Sequence, residues 1–577
     1  MNAQLIANVM CLQIEIKNAR NVHFSNLIVK GTGKQDCLVL IQDQGSVRMT
    51  SCSVKVGEME KGKEKDESGI AAVRVAGNGP SILSSSLLNA KSCTFQSASG
   101  SGLVVLEGGQ AALEDCVSSN SKGNGWVVQG EGSRMEARGS KADGNEKANA
   151  RVVAGASAVF SSCSMRFSSS SVGLAVTGKG STATATACTI NGNQHSNVWG
   201  VEGAFVTLED CECNNSKFGW FVEGEGSSIV AKGSKADRNE NKNAWVVAGA
   251  SAVFSSCSMR FSSSSVGLAV TGKGSAATAT ACTISGNQHS NVVVNDGASL
   301  TIDGCESCSS GGDGWAVSGE GSRLEARGSK AESNHYENAY VAAGASGFFS
   351  CCSMGLSGSS DVTGSSDVTG SSDVTGKGLF VTGKGSTATA IACTISGNQH
   401  GNVWGAEGAS VMLEDCECNN SKIGWVVKGE GSSIAAKGSK AQGNEKANAW
   451  VSAGATAVFA SCSMELSGKR VGLSVFGKGS SATATACTIS GNQLSNVWVK
   501  EGANASLNNC ESYGSKKDYG WKVEGEGSWL VASSSTAVFN AGGNAVMRGG
   551  GKIVCLSNCK LSTYGPFSSA SNLLVDV

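Results

Sequence analysis

The stretch Gly125–Phe218 decides the fold of this chain. It reads GWVVQGEGSRMEARGSKADGNEKANARVVAGASAVFSSCSMRFSSSSVGLAVTGKGSTATATACTINGNQHSNVWGVEGAFVTLEDCECNNSKF. Similar text restarts at each later Gly-Trp pair, and the tryptophans of these pairs are Trp126, Trp220, Trp315, Trp425 and Trp521. Their spacings are 94, 95, 110 and 96 residues, and the long interval contains GSSDVTGSSDVTGSSDVTG. A sequence that repeats at a fixed period indicates a repeat architecture.

Each block divides into four similar pieces of 23 to 25 residues. One small residue marks every piece, in the series Cys116, Ser140, Cys163, Cys188, Cys211, Ser234 and Cys257. Apolar residues alternate around it, and Gly, Asn and Ser cluster between the runs, which is typical of short strands and turns. The sequence therefore predicts an all-β, parallel solenoid of about 22 coils of roughly 23 residues, grouped in four-coil super-repeats, with neighbouring coils about 4.8 Å apart.

The segments NVWGVEGAFVTLEDCECNNS (197–216) and GLAVTGKGSTATATACTINGNQ (173–194) carry a family resemblance. They resemble the right-handed parallel β-helix repeat of the pectate-lyase-like superfamily, and the likeness extends from about Leu12 to the C-terminus. The resemblance implies the fold. It does not select a function, because this superfamily includes polysaccharide lyases, glycosidases, phage tailspikes and intracellular recognition modules.

The composition of the sequence and the regularity of its repeat divide the chain into four regions. Residues 1–20 are interpreted as an N-terminal cap or first strand, and residues 21–124 as degenerate coils with a charged insertion at 57–68. The regular super-repeats occupy 125–537, with an insertion at 358–376, and residues 538–577 form C-terminal coils or a cap. A solenoid needs such caps because its open ends present unpaired strand edges.

Composition excludes several classes of function. The chain has 46 Lys and Arg against 47 Asp and Glu, so it offers no basic surface to nucleic acid. No apolar run is long enough to span a membrane, and the N-terminus lacks the basic and apolar regions of a signal peptide. The 23 cysteines recur at one inward position and are interpreted as reduced, small hydrophobic residues. We therefore expect an intracellular, cytoplasmic protein.

The alternation of side chains separates two classes of large aromatic residue. Trp126 and Trp220 share a strand face with inward valines and are placed in the core. A second set is predicted to face outward and is our hypothesis for a binding surface, since Trp and Tyr dominate interface energetics. Its members are Trp199, Trp245, Tyr340, Trp404, Trp450 and Trp498. A covering loop, or a register shifted by one residue, would instead remove this surface.

Charged residues give a test of the coil register. Acids at Glu114, Glu209, Asp303 and Glu414 are followed one coil later by the bases Arg138, Lys232, Arg327 and Lys437. In a parallel stack these positions are laterally adjacent, and opposite charges there should pair. We therefore expect these charged residues to form ion pairs between coils and not to bind a ligand.

No constellation of catalytic or metal-ligating residues is apparent in the sequence. The signatures of the galacturonan hydrolases are missing, and the acids appear about one block apart. His195, His289 and His400 recur in GNQH at block spacing and are interpreted as turn or surface residues. Cys305 and Cys308 form an isolated CxxC without a second pair. The Thr182, Thr184 and Thr186 row resembles ice-binding solenoids but occurs in one coil of four.

These observations favour a non-enzymatic repeat scaffold or recognition module, without a cofactor or metal, that binds a protein partner along an extended surface. The alternative is a β-helix that binds or degrades a polysaccharide.

Overall fold

A computed structural model describes residues 13–31, 37–57, 71–77, 86–358, 376–561 and 573–575. The described chain is built from parallel strands and contains no helix. It forms two compact units, Met1–Thr283 (unit 1) and Ile284–Val577 (unit 2). The predicted insertions lie outside the described residues except for Gly57, Gly358 and Gly376.

Three parallel sheets line each unit, and every coil contributes one segment to each sheet. The alternating runs form the strands, and each strand pairs with its counterpart one coil along, as Leu174 does with Val198. Sheet 1 has eleven described strands in each unit, in agreement with the predicted number of coils. The all-β parallel solenoid is therefore confirmed.

Sheet 1 of unit 1 consists of Ile14–Lys17, Cys37–Gln42, Ala71–Ala76, Ser101–Leu106, Trp126–Gln129, Ala150–Val153, Leu174–Thr177, Ser196–Val201, Phe218–Glu223, Lys242–Val247 and Leu268–Thr271. Its sheet 2 consists of Val22–Ser25, Ser46–Thr50, Leu87–Lys91, Gln110–Glu114, Arg134–Arg138, Ser157–Ser161, Thr182–Thr186, Phe205–Glu209, Ser228–Lys232, Ser251–Ser255 and Ala276–Thr280. Its sheet 3 begins with Ile28–Gly31, Ser53–Val56, Thr94–Ser97 and Val117–Ser118 and continues as single bridges from Lys141 to Thr283.

Sheet 1 of unit 2 consists of Val292–Asn295, Trp315–Ser318, Ala339–Ala342, Lys377–Thr382, Gly401–Ala406, Ile423–Lys428, Ala447–Ser452, Val471–Phe476, Val497–Lys500, Trp521–Glu524 and Ala545–Arg548. Its sheet 2 consists of Ser299–Asp303, Arg323–Arg327, Ser346–Ser350, Thr387–Ile391, Ser410–Glu414, Ser433–Lys437, Thr456–Ala460, Ser481–Thr485, Asn504–Asn508, Trp529–Ser533, Lys552–Cys555 and Leu573–Val575. Its sheet 3 consists of Glu306–Cys308, Lys330–Glu332, Ser353–Gly355, Thr394–Ser396, Lys440–Gln442, Ser463–Glu465, Thr488–Ser490, Glu511–Tyr513, Thr536–Val538 and Lys560–Leu561.

The cysteine and serine series forms a buried ladder at the turn that follows sheet 2. The Cys163 amide donates to Sγ of Cys188 at 3.4 Å, and the Cys163 thiol donates to the Ala137 carbonyl at 3.3 Å. Where serine takes the place of cysteine, its hydroxyl accepts the same amide: Cys116 donates to Oγ of Ser140 at 3.0 Å. Small side chains with a polar tip are therefore required here, since each satisfies a buried amide. The described cysteines form no disulfide.

A second buried ladder, of asparagines, was not predicted from the sequence. Asn193 Nδ2 donates to the Met165 carbonyl at 3.1 Å and to Asn197 Oδ1 at 2.9 Å. Asn193 Oδ1 accepts from the Ser168 amide at 3.0 Å and from Asn149 Nδ2 at 2.9 Å. All four hydrogen-bonding positions of this amide side chain are used, so it joins neighbouring coils at the edge of sheet 1.

The predicted register between coils is confirmed at all four charged positions, but the ion pairs form at only two of them. The four acids pair in the strand ladder with the four bases as expected. Lys232 contacts Glu209 at 3.3 Å and Lys437 contacts Glu414 at 2.9 Å. Glu114 instead bonds Lys91, one coil earlier, at 2.8 Å, and Arg327 bonds Glu325 on its own strand.

Candidate functional site

The six predicted surface aromatics lie on the outer face of sheet 1 and are all partly buried. The inward tryptophans of the same sheet are completely buried, as expected; Trp126 and Trp220 are both 0% exposed. In each unit, we call the outward row of sheet 1 that contains these residues the aromatic stripe. The structure adds two members to it, because Phe221 lies between Trp199 and Trp245 in unit 1 and Phe380 lies between Tyr340 and Trp404 in unit 2.

The first cluster of the stripe, in unit 1, is a contiguous group of rings. The Phe221 and Trp245 ring centroids are 4.9 Å apart, and Phe218 at the edge of the sheet stacks on Phe221 at 5.8 Å. The Lys242 ammonium lies 4.4 Å from the centroid of the Trp245 ring. Trp245 Nε1 donates to Thr271 Oγ1 at 3.0 Å. This hydrogen bond and the stacked lysine hold the indole in place, which reduces the entropic cost of binding.

The second cluster, in unit 2, borders a groove of about 470 Å³. Tyr340 and Phe380 are 5.6 Å apart, and the Lys377 ammonium lies 4.0 Å from the Phe380 centroid and 5.2 Å from that of Trp404. The groove is also lined by Glu407, Lys428 and Glu430. Aromatic faces beside mixed charged groups can combine stacking with directional hydrogen bonds to one ligand.

The third cluster, also in unit 2, is formed around Trp498. The Lys500 and Lys522 ammonium groups lie 5.0 and 4.7 Å from the centroid of its ring. Trp498 Nε1 donates to Glu524 Oε2 at 3.0 Å. Trp450 approaches Phe476 edge-on at 4.8 Å. A ring with a lysine on its face is thus a recurring arrangement of the stripe.

Behind the second cluster, three charged side chains lie in adjacent coils at the edge of sheet 1. The almost fully buried Lys377 contacts Glu337 at 3.2 Å, and the Glu337 amide donates to Asp313 Oδ1 at 3.0 Å. Burial, reinforced by the Glu337 carboxylate, raises the pKa of Asp313 to about 8. The sequence did not indicate this group, because its members are separated by 24 and 40 residues and become neighbours only through the stacking of the coils.

The Asp313 carboxyl should make the stability of unit 2 depend on pH. Its folded pKa lies above the ordinary value of about 4, so the protonated form stabilises the fold and this stabilisation is lost as the pH rises from about 4 through about 8. We expect Asp313→Asn to be more stable than the parent chain by about 1–3 kcal/mol at pH 9 and equal to it at pH 4. Urea denaturation at both pH values measures this, and equal pH profiles for the two chains would contradict it.

His195, predicted from the sequence to have a turn or surface role, belongs to the first cluster. Its ring lies 6.2 Å from Trp199 and 5.5 Å from Phe218, and Nδ1 is 2.8 Å from Ser196 Oγ. Within the described part of the chain, no group of three or more His, Cys, Asp or Glu side chains is arranged to hold a metal ion. The same residues include no helix that is long and apolar enough to cross a membrane.

Comparison with known families assigns the chain to the fold that its repeats predicted. The model of the right-handed β-helix region matches residues 78–259 and 377–541, which is more than half of the sequence. The chain belongs to this right-handed β-helix family. Comparison with curated protein sequences gives no match.

Similar solved structures share the fold at low identity. They include pectate lyase Pel9A (12% identity, TM-score 0.32, covering 48% of this chain and 69% of that one). A mutant of the periplasmic alginate epimerase AlgG has 9% identity, a TM-score of 0.27 and coverages of 51% and 74%. The A-module of a mannuronan C-5 epimerase from Azotobacter vinelandii has 8% identity, a TM-score of 0.18 and coverages of 92% and 91%. At these identities, the similarity concerns the fold and does not indicate the function of this chain.

The prediction that this chain is not an enzyme is corrected by these findings. The solved structures that this chain is similar to include a lyase and epimerases. The sequence argument was also too narrow, because it required catalytic motifs that are continuous in the chain. Asp313 and Glu337 show that stacked coils bring acids together from separate segments.

Proposed function

We propose that this β-helix binds a polysaccharide along the aromatic stripe of sheet 1. The observation that carries the proposal is the recurrence of partly exposed rings with lysines on their faces, at Trp245 in unit 1 and at Trp404 and Trp498 in unit 2. Each ring offers an apolar face, and the charged groups beside it offer hydrogen bonds. A sugar ring presents the matching combination of C–H faces and hydroxyl groups.

A polymer of repeating chemical units matches a surface on which similar clusters of residues recur. Within unit 2, the second and third clusters lie on the same outward row, with Val426, Trp450 and Ser474 between Trp404 and Trp498. A polymer that contacts several equivalent clusters gains avidity without any single contact being strong. Nucleic acid, the other common repeating polymer, is disfavoured by the net charge of −1.

A protein partner, the occupant favoured by the sequence, is the second candidate. A different set of residues supports it: Phe167 and Phe261 in unit 1 and Leu356 and Leu466 in unit 2 are 45–58% exposed. All four have a positive φ of about 60°, which is unfavourable for large side chains, so their retention at the surface suggests a contact role. The cytoplasmic location stays a prediction.

Removing stripe rings should weaken polysaccharide binding without unfolding the chain. We expect Trp245→Ala and Trp404→Ala each to reduce affinity about tenfold, since an aromatic contact of about 1.4 kcal/mol corresponds to that factor. Binding of the full chain to a panel of neutral and acidic polysaccharides is measured by affinity electrophoresis and then by calorimetry.

The matched control is Trp529→Ala. Trp529 is 40% exposed, lies on the outer face of sheet 2 and has the Lys552 ammonium 4.8 Å from its ring centroid. It reproduces the chemistry of the stripe on another face. The proposal fails if no polysaccharide binds the parent chain, or if Trp529→Ala weakens binding as much as the stripe variants do.

A further inference from the structure

The first cluster differs from the others in its charge. Three basic side chains surround the Phe218 ring: the His195 ring centroid lies 5.5 Å away, and the Lys217 and Lys242 ammonium groups each lie 5.8 Å away. Phe218 is itself only 6% exposed. The three basic groups are therefore neighbours of one buried ring at the edge of sheet 1.

The other stacked lysines of the stripe are neutralised by carboxylates. Lys377 contacts Glu337 at 3.2 Å, Lys500 contacts Glu501 at 2.8 Å and Lys522 contacts Glu524 at 3.1 Å. For Lys242, by contrast, the described residues provide no ion pair; its ammonium contacts Asn241 Oδ1 at 3.4 Å and the aromatic faces. A partly buried ammonium without a counter-ion has lost hydration and has gained no ion pair in return, so the binding of an anion beside it is favourable.

Titration behaviour agrees with this geometry. Burial lowers the pKa of Lys242, with no carboxylate acting in the opposite direction. Burial and, to a smaller extent, the Lys217 charge lower the pKa of His195. A bound anion would raise the pKa of both groups, because it favours their charged forms.

We propose that the first cluster is a subsite for an anionic sugar residue, with Lys242 as the group that pairs with the anion. This inference rests on the proposed function, since it assumes that a polysaccharide occupies the stripe. The rings of Phe221 and Trp245 supply the apolar floor, and Lys217 and His195 enclose the charged substituent. The clusters of unit 2, whose ring-stacked lysines are already paired with carboxylates, bind sugar residues without selecting for charge.

Either a carboxylate or a sulfate ester can provide the anion, and the ligands of the experiment separate the two. The probes are a polygalacturonate oligosaccharide, the same oligosaccharide with its carboxyl groups reduced to alcohols, and a sulfated galactan oligosaccharide. Calorimetry with the full chain measures the affinity of each, at low and at physiological salt.

The informative variant is Lys242→Met, which keeps the apolar stem over Trp245 and removes the charge. We expect it to weaken binding of the anionic oligosaccharide about tenfold, the factor that corresponds to 1.4 kcal/mol, and to leave the reduced oligosaccharide unaffected. Lys552→Met is the control, because Lys552 stacks on Trp529 outside the stripe; both affinities should stay unchanged.

The outcomes distinguish this inference from the proposed function. If the parent chain binds the anionic and reduced oligosaccharides equally, and Lys242→Met changes both affinities by the same factor, the subsite is overturned while polysaccharide binding stands. If none of the three probes binds the parent chain, the subsite is overturned; if the whole polysaccharide panel also fails to bind, the proposed function is overturned with it. A loss confined to the carboxylated probe or to the sulfated probe identifies the anion.

Discussion

Trp220→Ala is expected to lower the free energy of unfolding of unit 1 by about 4 kcal/mol. The indole is completely buried and stacks on Phe254, with ring centroids 5.4 Å apart. Truncation to alanine removes the transfer free energy of the ring and leaves a cavity, which together cost about 3–5 kcal/mol in a packed core. The stacked coils on both sides can close only part of this space, because their strands are held by the sheet hydrogen bonds.

Hydrogen exchange measured by mass spectrometry is the suitable observable, since removing a tryptophan also changes the fluorescence. Peptides covering residues 218–255 should lose protection by a factor of several hundred, the equivalent of about 4 kcal/mol. Trp245→Ala, which truncates an outward ring of the next coil, is the control and should change protection much less. Equal losses for the two variants would contradict the assignment of core and surface.

Asn193→Ala is expected to cost about 3 kcal/mol or more, although it removes a polar side chain. The substitution removes four hydrogen bonds and leaves the Met165 carbonyl and the Ser168 amide without these partners. Asn197 Oδ1 and Asn149 Nδ2 each lose one bond and keep one, from Ser216 Oγ and to the Arg166 carbonyl. Each unsatisfied buried group costs about 1–3 kcal/mol, partly offset where water can enter. The loss should spread over the coil before and the coil after, because the asparagine bridges both.

Urea denaturation followed by circular dichroism, combined with hydrogen exchange, tests this prediction. Asn191→Ala is the comparison variant: Asn191 is only partly buried, and its Oδ1 accepts one bond, from the Asn214 amide, at 2.7 Å. It should cost about 1 kcal/mol. If Asn193→Ala costs no more than Asn191→Ala, the asparagine ladder does not stabilise the solenoid as proposed.

Much of the fold was predictable because each strand follows a local rule. Residues two apart face the same side of a strand, so the alternation around Trp220 and Trp245 correctly placed one ring in the core and the other at the surface. The cysteine and serine series set the coil length, and Glu209 and Lys232 consequently became lateral neighbours. The role of asparagine was missed because Asn between strands was interpreted only as a turn former.

The candidate site was predictable in part. The six outward aromatics were recognised one by one, but Phe221 and Phe380 were not, although each occupies the same alternating outward position. The contacts of Lys242 and Lys377 with the rings depend on side-chain orientation, which a repeat pattern does not specify. The acids Asp313 and Glu337 were not identified from the sequence, because they are 24 residues apart and become neighbours only through the stacking of the coils.

The sequence by itself determined the repeat, the parallel β-helix, and which residues face inward, because these follow from a period of two within a strand and a period of about 23 between coils. Only the tertiary structure decided which charged side chains meet. Glu114 takes Lys91 in preference to Arg138, and Lys377 pairs with Glu337 while Lys242 stays unpaired within the described chain. The physical reason is that stacking offers each outward side chain several lateral neighbours at similar distances, and packing and hydrogen bonding select among them.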